Sequence, residues 1–383
     1  MTRLLIPDRL LAPTGLREDL ALLIEDGCIA ALPEKTQLDG LEQLPRLALP
    51  GALLAPGFVD LQVNGGGGLL FNDAPAPETL ATITRAHRRR GTTSILATLI
   101  SDSPQKTRAA QAAVAAALAM RMPGLLGLHL EGPHLNPERC GVHQPEHFRA
   151  LDQTEVDALL AARSGPLLLT LAPERVLPAQ IQRLTAAGVR VFAGHTAASF
   201  EQVQAALAAG LVGFTHLFNA MPPIAGRAPG PVAAALLDAS SYVSLIADGL
   251  HLHPANLQLA LHCKPRGRCL LVSDAMPSVG AAGPSEFELQ GRTVQLREGR
   301  LQTAEGTLAG AHLDLAGAVR YLVQSVGVAL DEALRMASTW PAEAMGVGRE
   351  RGSLRIGSCA DLVWLDDALE PRGTWIAGEF EAA

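Results

Sequence analysis

Between residues 58 and 276 a single module recurs eight times: a short apolar run, a polar residue where it ends, then a linking stretch. The runs are FVDLQVNG (58–65), TSILATLI (93–100), LLGLHLEG (125–132) and LLLTLAPE (167–174). They continue with VRVFAGHT (189–196), VGFTHLFNA (212–220), YVSLIADGLH (242–251) and CLLVSDAM (269–276). Runs that are continuously apolar, rather than alternating, suit parallel strands covered on both faces. The intervening stretches 78–90, 106–121, 154–163, 178–187 and 199–209 are rich in Ala and Leu and read as helices. Eight such units over roughly 220 residues predict an α/β fold of the (β/α)8 TIM-like barrel type. The rival is a doubly wound open sheet, which places a spaced Gly-rich loop between its first strand and a helix. Here the first run ends in Asn64-Gly65-Gly66-Gly67-Gly68, which lacks that spacing and opens no clear helix.

The chain ends read differently. Turn-rich β segments at 20–32, 44–57 and 350–383 show no helical periodicity. They predict a small β-sandwich domain built from residues 1–54 and 346–383, flanking a barrel over 55–345. A hairpin-like insert (287–303) follows the eighth run, and two helices near 312–326 and 330–345 finish the barrel.

Composition removes several functional classes. With 48% hydrophobic and 18% charged residues, the chain has enough apolar material for a large core and is not disordered. A formal net charge of −7 argues against a general binder of nucleic acid or anionic membrane. The five cysteines (Cys28, Cys140, Cys263, Cys269, Cys359) form neither a disulfide framework nor a zinc-ribbon pattern. Free thiols in a reducing cytoplasm are the expectation. The N-terminal stretch is interrupted by Pro7, Asp8 and Arg9, and the longest apolar stretch (112–120) is about half a membrane span. The expectation is therefore a soluble cytoplasmic protein with no membrane or nucleic-acid partner.

In a barrel the chemistry sits at the carboxyl ends of the strands. Those positions hold Gln62 and Asn64, then His129, Glu131 and His134, then His195, His216 with Asn219, Asp248 with His251, and Asp274. Each has an ordinary reading alone: a hydrogen-bonded structural histidine, an ion-paired glutamate, an aspartate capping the next segment. Together they place a carboxylate, two imidazoles and a second carboxylate at equivalent strand ends. Glu131, His195 and His216 make a three-ligand set for one Zn²⁺ or Fe²⁺ with a position left for water. Asp274 is the natural acid–base partner, able to take a proton from water and pass it to a leaving amine.

Asn219, Ala220 and Arg227 lie on or near the loop after the His216 strand, where backbone N–H groups and one guanidinium suit a phosphate. An exposed, solvated arginine is the alternative for Arg227. His251 could add a charge or a sugar contact, and Gly141-Val142-His143 sits in the long loop after the third strand. His87, His147, His262 and His312 fall on helix- or loop-like segments away from the mouth.

The motifs HLEGPHLN (129–136), AGHT (193–196), THLFNAM (215–221), ADGLH (247–251), VSDA (272–275) and TLAG (307–310) occur together. With PGFVDLQVNG (56–65) and LRIGSCADLV (354–363), they resemble the N-acetylglucosamine-6-phosphate deacetylases of the amidohydrolase superfamily over nearly the whole chain. The resemblance implies that Glu131, His195 and His216 hold the metal and that Asp274 is the acid–base group. It implies phosphate and sugar contacts from Asn219, Ala220, Arg227 and His251, and a backbone contact from Val142 with His143 facing the sugar. Thr307, Leu308 and Ala309 would line the acetyl end. It implies a homodimer in which Arg227 or His251 serves the neighbouring subunit. Where many relatives carry His-x-His, this chain has Gln62-Val63-Asn64, which resembles the single-metal branch and implies one divalent ion per subunit. Met276-Pro277 and His312 depart from the family pattern and bear on substrate breadth. The rival readings are deacetylation of another phosphorylated N-acetylhexosamine, such as the galactosamine epimer, and a non-catalytic sugar-phosphate-binding homologue.

Overall fold

The computed structural model describes residues 2–41, 43–283 and 286–383. All eight apolar runs form parallel strands of one sheet, each paired with its neighbours in chain order. They are Phe58–Val63, Thr92–Ile100, Leu125–Glu131, Leu167–Leu171, Arg190–Ala193, Gly213–Phe214, Tyr242–Leu245 and Cys269–Leu271. The last and first strands do not share a full ladder. The seam between them closes through an isolated Val63–Ala275 bridge and an Asn64 N–H bond to the Ala275 carbonyl. Asp60, wholly buried in the first strand, adds a side-chain tie by accepting the backbone N–H of Ser273 at 3.2 Å. The result is the expected (β/α)8 barrel.

The helices begin where capping chemistry allows. Ser103 accepts the N–H of Lys106 ahead of Pro104–Ala119, and Asp152 accepts that of Glu155 ahead of Gln153–Ala161. Ser199 and Gln202 form a reciprocal capping box on Phe200–Ala208. The structure also forms helices at Gly230–Leu237 and Pro254–Cys263, which the Ala/Leu pattern had not singled out. The expected helix over 330–345 is two, Leu330–Ala337 and Thr339–Ala344, broken at Ser338 whose backbone leaves the helical region. The insert after the eighth strand has three strands, Glu286–Leu289, Arg292–Arg297 and Arg300–Gln302. Its tight turns place Gln290-Gly291 and Glu298-Gly299 at positive φ, the geometry two-residue hairpin loops need.

Both chain ends join one eight-stranded sheet. Arg3–Ala12 runs parallel to Arg46–Pro56, against which Leu362–Leu365 lies antiparallel. This sheet has its own apolar core, including Leu5, Leu10, Leu22, Ile29, Leu54, Leu362 and Trp375. Trp375 is fully buried, so Trp375→Ala is expected to cost about 3–5 kcal/mol. Denaturant unfolding of the pair would show it as a lowered midpoint, and an unchanged midpoint would contradict this packing.

Inside the barrel, one level below the mouth, His129 hydrogen-bonds Thr98 at 3.2 Å and Thr170 at 2.8 Å, and Thr170 reaches Thr215 at 2.6 Å. Burial pushes the His129 imidazole down to about 4, so it is a neutral bridge in a satisfied polar layer.

Candidate metal centre and active site

Glu131 closes the third strand, whereas His195, His216 and Asp274 lie two or three residues beyond the fifth, sixth and eighth. The last three share a backbone peculiarity: φ of 48°, 32° and 52° respectively, the left-handed region that non-glycine residues rarely enter. Such turns cost on the order of 1–3 kcal/mol each and persist where neighbouring bonds hold them. Here the His216 N–H donates to Ser244 Oγ at 2.8 Å, and the Asp274 carbonyl accepts the Ala311 N–H at 2.9 Å. These turns also end the sixth and eighth strands early, making them shorter than their apolar runs.

Glu131 Oε1 lies 2.9 Å from His216 Nε2 and 3.2 Å from His195 Nε2, and the two Nε2 atoms are 3.2 Å apart. Among the described residues these three form a group whose donor atoms all fall within 4.8 Å of one another. His195 donates its Nδ1–H to the Arg139 carbonyl at 2.8 Å, which leaves the Nε2 lone pair facing a carboxylate oxygen. Two electron-rich atoms so placed call for a cation between them. A tetrahedral shell with bonds of 2.0–2.1 Å has edges of about 3.3 Å, close to the spacings seen. The donor set therefore fits a divalent transition-metal ion. Burial opposes charge on Glu131, but without a cation, imidazoles that carry a proton on Nε2 outweigh it and hold the carboxyl well below its ordinary range. The same partnership raises His216 against the burial that would lower it.

Asp274 faces this group across one amide. Gln62 Nε2 donates to Glu131 Oε1 and to Asp274 Oδ1, both at 3.0 Å, and Asn64 Nδ2 donates to the same Asp274 oxygen at 2.8 Å. Burial, then the nearby Glu131 charge, pushes Asp274 up to about 6. The sequence marked Gln62 and Asn64 only as poor ligands; the fold uses them as donors that orient the Asp274 carboxylate.

His143 is buried, its Nδ1 accepting the Ser101 backbone N–H at 3.3 Å and lying 2.9 Å from Ser101 Oγ. Burial and the His195 ring push it down to about 3, so it is neutral. With Nδ1 accepting, its Nε2 carries the proton and sits 3.8 Å from Glu131 Oε2, a donor beside the metal group. Ser101 was not among the residues singled out, although it is the polar residue that directly follows the run TSILATLI.

A cavity of about 260 Å³ joins these groups, below the usual range for drug-sized ligands and suited to a monosaccharide. Val142, His143, Asn219, Ala220, His251, Thr307 and Leu308 line it together with Asp274 and the metal group. His251 donates its Nδ1–H to Asp248 at 2.6 Å, which orients the ring. Two expected contacts lie elsewhere. Ala309 is fully buried among Met276, Leu289 and Val294, behind the wall that Leu308 and Gly310 present. Arg227 is exposed in the tight 225–228 turn, outside the cavity lining of its own chain. Among other mouth candidates, His129 belongs to the layer below, and His134 is buried against the Arg149 carbonyl. Sequence reasoning missed the apolar wall of Leu70, Ile100, Ile246 and Leu289, since apolar residues in strands carry no signal of which face a cavity.

The family model described as the amidohydrolase family matches residues 53–380. The N-acetylgalactosamine-6-phosphate deacetylase of Shewanella sp. (strain ANA-3) is 40% identical over 373 residues, covering 97% of this chain and 94% of that protein. The N-acetylglucosamine-6-phosphate deacetylase of Haemophilus influenzae is 32% identical over 364 residues, covering 95% of each. Among solved structures, N-acetylglucosamine-6-phosphate deacetylase from Pasteurella multocida superposes with a TM-score of 0.96 at 33% identity, covering 100% of both chains. Motifs, barrel, converging ligands and full-length similarity agree: this chain belongs to the amidohydrolase family.

Proposed function

We propose that this protein hydrolyses the acetamide of an N-acetylhexosamine 6-phosphate, with N-acetylglucosamine 6-phosphate as substrate and glucosamine 6-phosphate and acetate as products. The observation that carries the reading is the Asp274 carboxylate held by Gln62 and Asn64 beside the Glu131–His195–His216 group. That pairing of base and metal ligands is equipment for amide hydrolysis.

Glu131, His195 and His216 would hold one Zn²⁺ or Fe²⁺ ion, a choice that a mixed carboxylate–imidazole set tolerates. Bound there, the ion supplies Lewis acidity to the amide carbonyl and lowers the pKa of water. Asp274 removes the proton of the attacking water and returns it to the departing sugar nitrogen, which a carboxyl with a raised pKa does readily. His143 donates its Nε2–H toward the acetyl oxygen or a neighbouring hydroxyl. Thr307 and Leu308 bound the acetyl end with Ala309 behind them, while Val142, Asn219, Ala220 and His251 position the sugar phosphate.

Arg227 supports a dimeric site. Exposed outside its own cavity, it is available to the phosphate pocket of a second subunit, and His251 is the other residue we assign to that shared pocket. We take residues 1–54 and 346–383 as the small domain and 55–345 as the catalytic barrel. No helix among the described residues is long and apolar enough to cross a membrane. A charged sugar phosphate does not cross a bilayer unaided, so we place the reaction in the cytoplasm.

A second reading, hydrolysis of N-acetylgalactosamine 6-phosphate, is favoured by the 40% and 38% identities to relatives of that name. Acetate release from both epimers, with and without phosphate, tests the proposal. The phosphorylated forms should be preferred by roughly 100-fold or more in kcat/KM, about 2.7 kcal/mol of transition-state binding. Equal turnover of the unphosphorylated sugars would overturn the phosphate assignment, and no acetate from any of them would overturn the hydrolase.

A further inference from the structure

Two of the five free cysteines are brought face to face by the small domain. Cys28 opens the strand Cys28–Ala31, and Cys359 lies more than three hundred residues later, just before the strand Leu362–Leu365. They are direct partners in an isolated antiparallel bridge. The flanking hydrogen bonds define the kind of pair. The Ile29 N–H donates to the Ser358 carbonyl at 2.9 Å and the Ala360 N–H to the Gly27 carbonyl at 2.8 Å. The Cys359 N–H instead donates to the Glu350 carbonyl at 2.9 Å. Cys28 and Cys359 are therefore a non-hydrogen-bonded pair, in which the Cα atoms approach to about 4.5 Å and the side chains share one face. A disulfide needs a Cα separation of about 4.4–6.8 Å, so no backbone movement is required.

We propose that Cys28 and Cys359 form a thiol–disulfide site, oxidised by low-molecular-weight disulfides of the glutathione type and stapling the two chain ends together. Cys28 is exposed and Cys359 half-buried, which sets the order of events. Burial, followed by the Asp361 charge, raises the Cys359 thiol and leaves Cys28 as the point of entry. The Cys28 thiolate attacks one sulfur of the small disulfide, forming a mixed disulfide and releasing one thiolate. The Cys359 thiolate then attacks the Cys28 sulfur, forming the internal bond and releasing the second. The protein loses two electrons and two protons, and the small disulfide gains both as two thiols. The remaining cysteines are not so placed: Cys269 is buried with its thiol pushed up to about 12, and Cys140 and Cys263 have no bridge partner of this kind among the described residues.

The link joins the strand after the Asp26-Gly27 turn to the segment that leads the C-terminal strands into the sheet. It closes a very long loop, the case in which cross-linking restricts the unfolded chain most. The test is incubation of the whole protein with oxidised glutathione, alkylation of remaining thiols, and mass analysis of a non-reducing digest. The expected result is a peptide pair joined through Cys28 and Cys359, a loss of two alkylatable thiols that dithiothreitol reverses, and a melting temperature raised by a few degrees. Cys28→Ser and Cys359→Ser should each lose both the linked peptide and the thermal shift. Two fully alkylated thiols, a glutathione adduct at Cys28 that Cys359 never displaces, or a link between separate molecules would each overturn the assignment.

Discussion

Asp274→Asn is expected to lower kcat by roughly 10²–10⁴-fold, the range for removing a general acid–base group. The substitution keeps the shape of the side chain, and its amide oxygen can still accept from Gln62 Nε2 and Asn64 Nδ2. What it removes is a group able to accept the water proton and give it to the amine. Metal content measured on the same preparations should be unchanged, because the ligands we assign are Glu131, His195 and His216. The pH profile adds a second readout. Burial lifts Asp274 to about 6 from an ordinary 3.8, while a bound cation works in the opposite direction. Since the ionised form is the active base, kcat/KM should fall as pH drops through the Asp274 pKa, which a bound cation places below about 6. The variant should lack that acid limb. Near-normal turnover with metal bound would remove Asp274 from the mechanism.

Withdrawal of the metal should have an effect of similar size. Dialysis against a chelator is expected to reduce activity on the order of 10³-fold or more, since the ion's charge stabilisation amounts to several kcal/mol. Zn²⁺ or Fe²⁺ added back should restore it, and metal analysis should find one equivalent per chain. Glu131→Gln should lose the ion together with the activity, because a neutral amide is a poor transition-metal ligand and cannot balance the divalent charge. The oxygen it replaces is the one that both histidine Nε2 atoms approach within 3.2 Å. Full activity after exhaustive chelation would refute a metal-dependent reaction. Binding of two equivalents would show that Gln62 and Asn64 do not exclude a second ion.

Much of this site was legible before the fold. His195, His216, Glu131 and Asp274 stood out because polar residues at the ends of apolar runs are costly unless used, and the barrel module told where those ends meet. Asn219, Ala220, His251 and the Val142-His143 loop were marked by their places after strand ends, Thr307 and Leu308 by the family resemblance, and all line the cavity. Ala309, from the TLAG motif, and Arg227, from the loop after His216, do not line it, because position in sequence does not record which way a side chain turns. Helices 230–237 and 254–263 were not among the stretches singled out from the sequence.

The order of residues by itself determined the eight-fold alternation, the ligand types and the membership of both ends in a second β unit. Apolar periodicity and side-chain chemistry are local properties. The tertiary structure alone decided the rest: the left-handed turns that swing His195, His216 and Asp274 inward, and the amide bridge from Gln62 to both carboxylates. It also decided the meeting of Cys28 with Cys359. Each of these depends on how distant strands register against one another, and no local pattern records that register.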